Sequence, residues 1–294
     1  MENSISNDND LFLNKCFQKE SKANGWASIL DSLRRQNPLV HHITNYVTVN
    51  DCANAVLAIG AAPVMADELA EVCDIVHIAS ALVINIGTLN QRTIASMLAA
   101  GKEANAVGIP VILDPVGAGA SALRTRTAEQ LIKEIRFAVI RGNISEIKVL
   151  SGKETQTKGV DAAASDMADH IEGSRTLARQ LANETDSVIA ITGETDVISN
   201  GKTTYLLKNG HEMMSKITGT GCMCTSLIGA CCGVTKDYLG AATAAVTVMG
   251  VAGEDGYRRM NGENIGNLTY RTQIVDAIYR MSGERMDRGG RLFV

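Results

Sequence analysis

Hydrophobic and polar positions alternate along this chain with two different periods. Residues 26–36 carry an amphipathic helical pattern that Pro38 stops. Apolar stretches of strand length include residues 74–78, 82–86, 110–114, 137–140 and 187–191. Helical patterns lie between them, near 49–59, 90–106, 120–134 and 173–183. Strand–helix alternation predicts a mostly parallel sheet with helices on both faces, and strands that read as continuous apolar runs fit burial on both sides. Residues 196–208 break the rhythm. Two short runs there flank Asn200-Gly201, a strong hairpin signal, so an antiparallel edge is expected after the parallel part. A Gly-rich loop, Thr218 to Gly221, comes next, followed by three helix-like stretches to about residue 281. Residues 1–24 are polar and lack a sustained period, and read as a flexible tail with one candidate short helix at LFLNKCF. With no internal repeat or linker in 25–294, the pattern predicts a single α/β domain.

Charge and composition narrow the partners. The net charge is −4 with no basic stripe, which argues against nucleic acid. No apolar run reaches the ~18 residues of a membrane span, and the opening MENSISNDND has no signal-like pattern. Seven cysteines are present, without the paired spacing of a zinc ribbon, and thiols in apolar helices fit a reducing cytoplasm.

Ligands in open α/β sheets gather at the carboxyl ends of the strands. Five polar or Gly-rich clusters fall at such ends here: Asn85 to Thr88, Asp114 to Gly119, Arg141 to Asn143, Thr192 to Glu194, and Thr218 to Cys222. Gly219 and Gly221 allow backbone conformations closed to other residues. A helix from Met223 to Gly233 would aim its free N–H groups at an anion held in that loop. Asn143-x-x-Glu146 follows a strand and opens a helix. Its oxygens suit Mg²⁺, and its spacing equally suits a helix cap. His41 and His42 lie near the first strand and receive no role.

Asn143-x-x-Glu146 followed by Gly219-Thr220-Gly221-Cys222 resembles the ribokinase-like kinases, whose hallmark is N-x-x-E with a later G-x-G-D loop. Cys222 stands where that loop carries its usual Asp base. Together with NYVTVNDCANAVLAIGAAPVMA (45–66), ILDPVGAGAS (112–121), RGNISEI (141–147), KGVD (158–161) and ITGTGCMC (217–224), this departure closely resembles the hydroxyethylthiazole kinase family over about residues 26–280.

The resemblance implies a three-layer ribokinase-like fold and Mg-ATP-dependent phosphorylation of the primary alcohol of 4-methyl-5-(2-hydroxyethyl)thiazole in thiamine biosynthesis or salvage. It also implies a cytoplasmic homotrimer with active sites between subunits. By motif position, Met65 and Gly219 would contact the thiazole, and Arg141, Thr192, Thr220 and Gly221 the ATP. Asn143, Glu146 and Asp114 would organise Mg²⁺, and Cys222 would sit beside the reacting alcohol. A helix N-terminus is expected to lower the Cys222 pKa there. The segment Asn264-Ile265-Gly266-Asn267 departs from the Gly-Pro-Gly common in the family. Two other readings stay open: a kinase for hydroxymethylpyrimidine or another vitamin-precursor alcohol, and a thiol sensor built on Cys222 and Cys224.

Overall fold

The computed structural model describes residues 25–152, 164–260 and 266–294. The expected tail (1–24), the KGVD segment and Asn264-Ile265 lie outside these residues. The first helix, α1 (Trp26–Gln36), ends at Asn37 and is followed by β1 (Leu39–Ile43), α2 (Val49–Ile59) and β2 (Ala62–Met65). Then come α3 (Val72–Ile78), β3 (Ala81–Asn85), α4 (Gln91–Val107), β4 (Val111–Asp114), α5 (Ala122–Glu134), β5 (Val139–Gly142) and α6 (Ile144–Leu150). The chain continues through α7 (Ala164–Thr185), β6 (Val188–Ile191), β7 (Asp196–Ser199), β8 (Thr204–Leu207), a 3₁₀ turn (Glu212–Lys216), α8 (Thr220–Cys232), α9 (Tyr238–Arg259), α10 (Asn267–Tyr279), α11 (Gly283–Gly289) and β9 (Leu292–Phe293).

One sheet gathers all these strands in the order β2-β1-β3-β4-β5-β6-β7-β8-β9. The pairings from β2 to β6 are parallel, and those from β6 to β9 are antiparallel. Alternate side chains of each central strand enter opposite cores, as the two-residue period of a strand requires. Val83, Ile112, Val139 and Ala190 join one core with α8 and α9, while Leu82, Ile84, Leu113, Ile140 and Ile189 join the other. Among the described residues, no helix is long and apolar enough to cross a membrane.

Within the described residues the expected helices and hairpin are present, with corrections at short elements. Residues 74–78 lie in α3 instead of a strand: their run of β-branched residues suggested extension, but the buried residues of this helix are Val72 and Val76, one helical turn apart. Residues 39–43 and 62–65 form two further strands, with 62–65 at the sheet edge and 39–43 beside it. The hairpin loop extends through Thr203, because Asn200 Oδ1 accepts from the N–H groups of Lys202 (3.1 Å) and Thr203 (2.8 Å).

Helix α8 packs flat on the sheet at Gly229. A Cβ there would lie 2.5 Å from Val83 Cγ2 and 3.3 Å from Val40 Cγ1. Gly229→Val is therefore expected to cost about 1–3 kcal/mol through overpacking, read as a lower midpoint in urea unfolding at unchanged slope.

Candidate functional site

The parallel strands all deliver their carboxyl ends to one edge, and the expected site residues collect there. Met65 ends β2, Asp114 ends β4, Arg141 sits in β5, and Thr192 follows β6. Register sets Asn85 directly beside Asp114 across β3 and β4. The buried His41 bonds the Ala66 carbonyl through Nε2 at 2.8 Å, which fixes the chain just after Met65. Burial lowers the His41 pKa, so its ring serves there as a neutral core group.

Helix α8 meets this edge end-on. Gly219 is its N-cap with φ 90°, a left-handed conformation that favours glycine, and among the described residues no side chain caps the turn. A Cβ on Gly219 would also lie 2.7 Å from Thr48 Cγ2. The free N–H groups of the first turn are thus left for an anion. Gly221 differs from the sequence expectation. It lies inside the helix, outside the left-handed region, and its missing side chain makes room for the Arg141 guanidinium. The helix also starts at Thr220, earlier than the expected Met223.

Two sides of that first turn face different surroundings. Thr220, Gly221 and Cys224 line a cleft of about 860 Å³ together with Arg141, Thr192 and the loop after β8. Cys222 instead faces the ends of β1 and β3. Its Sγ accepts from Asn45 Nδ2 and Asn85 Nδ2, each at 3.3 Å. Asn85 Nδ2 also donates to Asp114 Oδ2 at 3.0 Å. Asn85 Oδ1 accepts from Asn45 Nδ2 (3.0 Å) and Gly87 N (2.9 Å), and Asn45 Oδ1 accepts from both the amide and hydroxyl of Thr48 (3.1 and 3.0 Å). Both carboxamides therefore have every donor and acceptor engaged.

The electrostatics correct the expectation for Cys222. Burial raises its pKa, and the nearby Asp114 adds to the rise; hydrogen bonds from Thr48, Asn45 and Asn85 oppose it without reversing it. The group is a thiol at neutral pH, with desolvation the largest influence on it. Burial also pushes Cys224 up to about 12 and Asp114 up to about 6. For Asp114 the Arg141 guanidinium, 3.8 Å away, is insufficient to offset desolvation. Thr225 Oγ1 donates to Asp114 Oδ2 at 2.8 Å, while Asp114 Oδ1 is buried without a hydrogen-bond partner among the described residues.

Asn143 and Glu146 form the cap that their spacing allowed. Asn143 Oδ1 accepts from Glu146 N (2.9 Å) and Glu146 Oε2 from Asn143 N (2.8 Å). Glu146 Oε1 accepts from Gly117 N at 2.8 Å, tying the cap to the loop after Asp114. Among the described residues, no group of three His, Cys, Asp or Glu could enclose a metal. The unpartnered Asp114 oxygen, with the Glu146 carboxylate near enough to raise the Asp114 pKa, fits a hard cation that keeps waters and phosphate oxygens as its other ligands.

Sequence reasoning assigned no role to Asn45, Thr48, Asn85 or Thr225. Asn85 opened a marked strand-end cluster, and Thr225 lies one turn after Cys222, so both carried a usable signal. Asp196 was missed as well. It is buried at the cleft, accepts from Gly193 N at 2.9 Å, and is pushed up to about 7 by burial.

The sequence profile of the hydroxyethylthiazole kinase family matches residues 30–284. A hydroxyethylthiazole kinase of Clostridium tetani is 53% identical over 261 residues, covering 89% of this chain and 94% of that protein. The solved hydroxyethylthiazole kinase of Pyrococcus horikoshii superposes with a TM-score of 0.81 at 35% identity, over 91% of this chain and 97% of the other. A pyridoxal kinase of Staphylococcus aureus, solved with AMP-PCP and pyridoxal, shares only the fold, with a TM-score of 0.56 at 14% identity over 74% of this chain and 87% of its own.

Asp196 generates a pH test. Its folded pKa lies above its unfolded value, so its contribution to stability is full below about pH 4 and is lost as pH rises through about 7. Asp196→Asn keeps the acceptor for Gly193 and removes the titration. Chemical denaturation between pH 4 and 8 should show a wild-type loss roughly 2–4 kcal/mol larger than that of the variant.

Proposed function

The chain belongs to the hydroxyethylthiazole kinase family, and from that membership we propose that it transfers the γ-phosphoryl group of ATP to the primary alcohol of 4-methyl-5-(2-hydroxyethyl)thiazole. The observation that carries this reading is the first turn of α8, which borders the cleft on one side and bears Cys222 on the other. The triphosphate belongs on the cleft side, against the free N–H groups after Gly219, with Arg141, Thr192, Thr220 and Gly221 as its contacts. The thiazole belongs on the Cys222 side, toward Gly219 and the end of β2 at Met65.

Positioning and charge neutralisation perform most of the work in phosphoryl transfer. Arg141 lies behind Gly221 with its side chain only 14% exposed, where its charge is weakly screened and can neutralise the migrating group. Cys222 holds the alcohol in line. The alcohol oxygen bonds to the γ-phosphorus as the bond to the β–γ bridging oxygen breaks, and ADP leaves. The alcohol proton departs late and can rest on the transferred phosphoryl group, whose second pKa is near 6, so a protonated thiol beside the alcohol is no obstacle. Mg²⁺ would be held by Asp114, with Glu146 and Asn143 beside it, and would neutralise phosphate charge.

We take the working form to be a cytoplasmic homotrimer in thiamine biosynthesis or salvage, with sites shared between subunits. The exposure of Tyr46 (78%) and Val47 (57%), next to Asn45, supplies apolar surface beside the site that supports this assembly.

Purified protein should release ADP in the presence of Mg²⁺ only when the thiazole alcohol is added; a panel in which a hydroxymethylpyrimidine has the higher kcat/KM would transfer the assignment to that acceptor. Cys222→Asp should keep substantial turnover, because Asn45 and Asn85 present N–H donors to an acceptor at that position. Cys222→Leu should lose about 100-fold or more in kcat, since it occupies the alcohol's place and strands both donors. Equal losses in two folded variants would show that side-chain shape alone governs the position.

A further inference from the structure

We propose that the C-terminal segment after α11 is a positioning element for the nucleotide, acting through Arg291 on the loop Lys208–His211. This inference rests on the reading of the cleft as the ATP site. Lys208, Asn209, Gly210 and His211 form one wall of that cleft, and Val246, Met249 and Gly250 of α9 stand beside it. The loop follows β8 and leads into the 3₁₀ turn, so no ladder of its own sets its shape.

The bonds that do set it come from two distant parts of the chain. The Arg291 amide donates to Asn209 Oδ1 at 2.7 Å, and its Nε donates to the Lys208 carbonyl at 2.7 Å. The Lys208 amide donates back to the Arg291 carbonyl at 3.1 Å. Asn209 Nδ2 donates to the Gly289 carbonyl (2.9 Å) and to Glu254 Oε1 (3.0 Å). Glu254, on α9, also accepts from Gly210 N at 3.0 Å, and its carboxylate is closed by Arg291 Nη2 at 2.6 Å and Nη1 at 3.3 Å. Pairing of β9 with β8, Leu206 with Phe293 and Leu207 with Leu292, delivers Arg291 to this place.

Gly250 completes the device. A Cβ there would lie 2.5 Å from Asn209 Cβ and 3.0 Å from the Asn209 carbonyl carbon, so the bare helix surface lets the loop backbone lie against α9. The Arg291 guanidinium forms a fork between a carbonyl and a carboxylate, a geometry that lysine cannot reproduce. Arg291 touches none of the expected phosphate contacts, and its effect is to hold the wall that the nucleotide meets.

The test measures KM for ATP, KM for the thiazole alcohol and kcat in wild type, Arg291→Ala and Glu254→Gln. The expected result is a rise of about tenfold in the ATP KM, with the alcohol KM and saturating kcat within about twofold. If Arg291→Ala does not fold, Arg291→Lys is read in its place and should show the same split at smaller size. An unchanged ATP KM in a folded variant overturns the proposal, as does an equal shift in all three parameters, which would mark general loosening. Mg-ATP binding to the wild type, followed by calorimetry, separates the two levels: no binding removes the nucleotide reading itself, whereas wild-type binding with unaltered variants removes only the role of Arg291.

Discussion

The buried carboxamide of Asn85 is the constraint on which the site depends. Its NH₂ group reaches Asp114 and Cys222, while its oxygen holds Asn45 and Gly87. Three strand ends and the start of α8 are therefore locked to one planar group that is only 2% exposed. A buried amide left unsatisfied costs about 1–3 kcal/mol per group, so the arrangement has little freedom to drift. Among the described residues, Asp114 is held by hydrogen bonds through one oxygen only.

The two glycines of the α8 entrance work by different physics. Gly219 supplies a left-handed turn and, having no side chain, leaves the helix N-terminus without a cap of its own. Gly221 supplies absence of bulk, so that Arg141 can lie across the first turn. An anion on that turn meets free N–H groups and a half-buried guanidinium together. Desolvation strengthens both and at the same time holds Cys222 and Cys224 as thiols. This disfavours the sensor reading, since a redox-active cysteine needs thiolate character and exposure.

Much of this was legible in the sequence because the central strands are apolar on both faces and the helices between them are long. The marks at residues 82–86, 110–114 and 187–191 fall within a residue or so of β3, β4 and β6. Short elements were harder. Residues 74–78 look extended by composition, yet the burial of Val72 and Val76 makes them helical. Strand β9 is two residues long and exists through its partner β8, information that no local pattern holds. The glycine loops and strand ends singled out in the sequence gather at one edge of the sheet. The roles of Asn45, Asn85 and Thr225 depend on register between β3 and β4 and on the direction of α8, both tertiary facts. The thiol of Cys222 shows the same limit, because the helix end was visible in the sequence and the depth of burial was not.

If Cys222 holds the alcohol as proposed, Asn85, which donates to its Sγ, acts on turnover through it and the two form one unit. A double-mutant cycle on kcat, with Asn85→Ala, Cys222→Ala and the pair, tests it most directly. The expected result is a double variant that loses no more than about the larger of the two single losses. Losses that multiply independently, in variants that remain folded, would contradict the account.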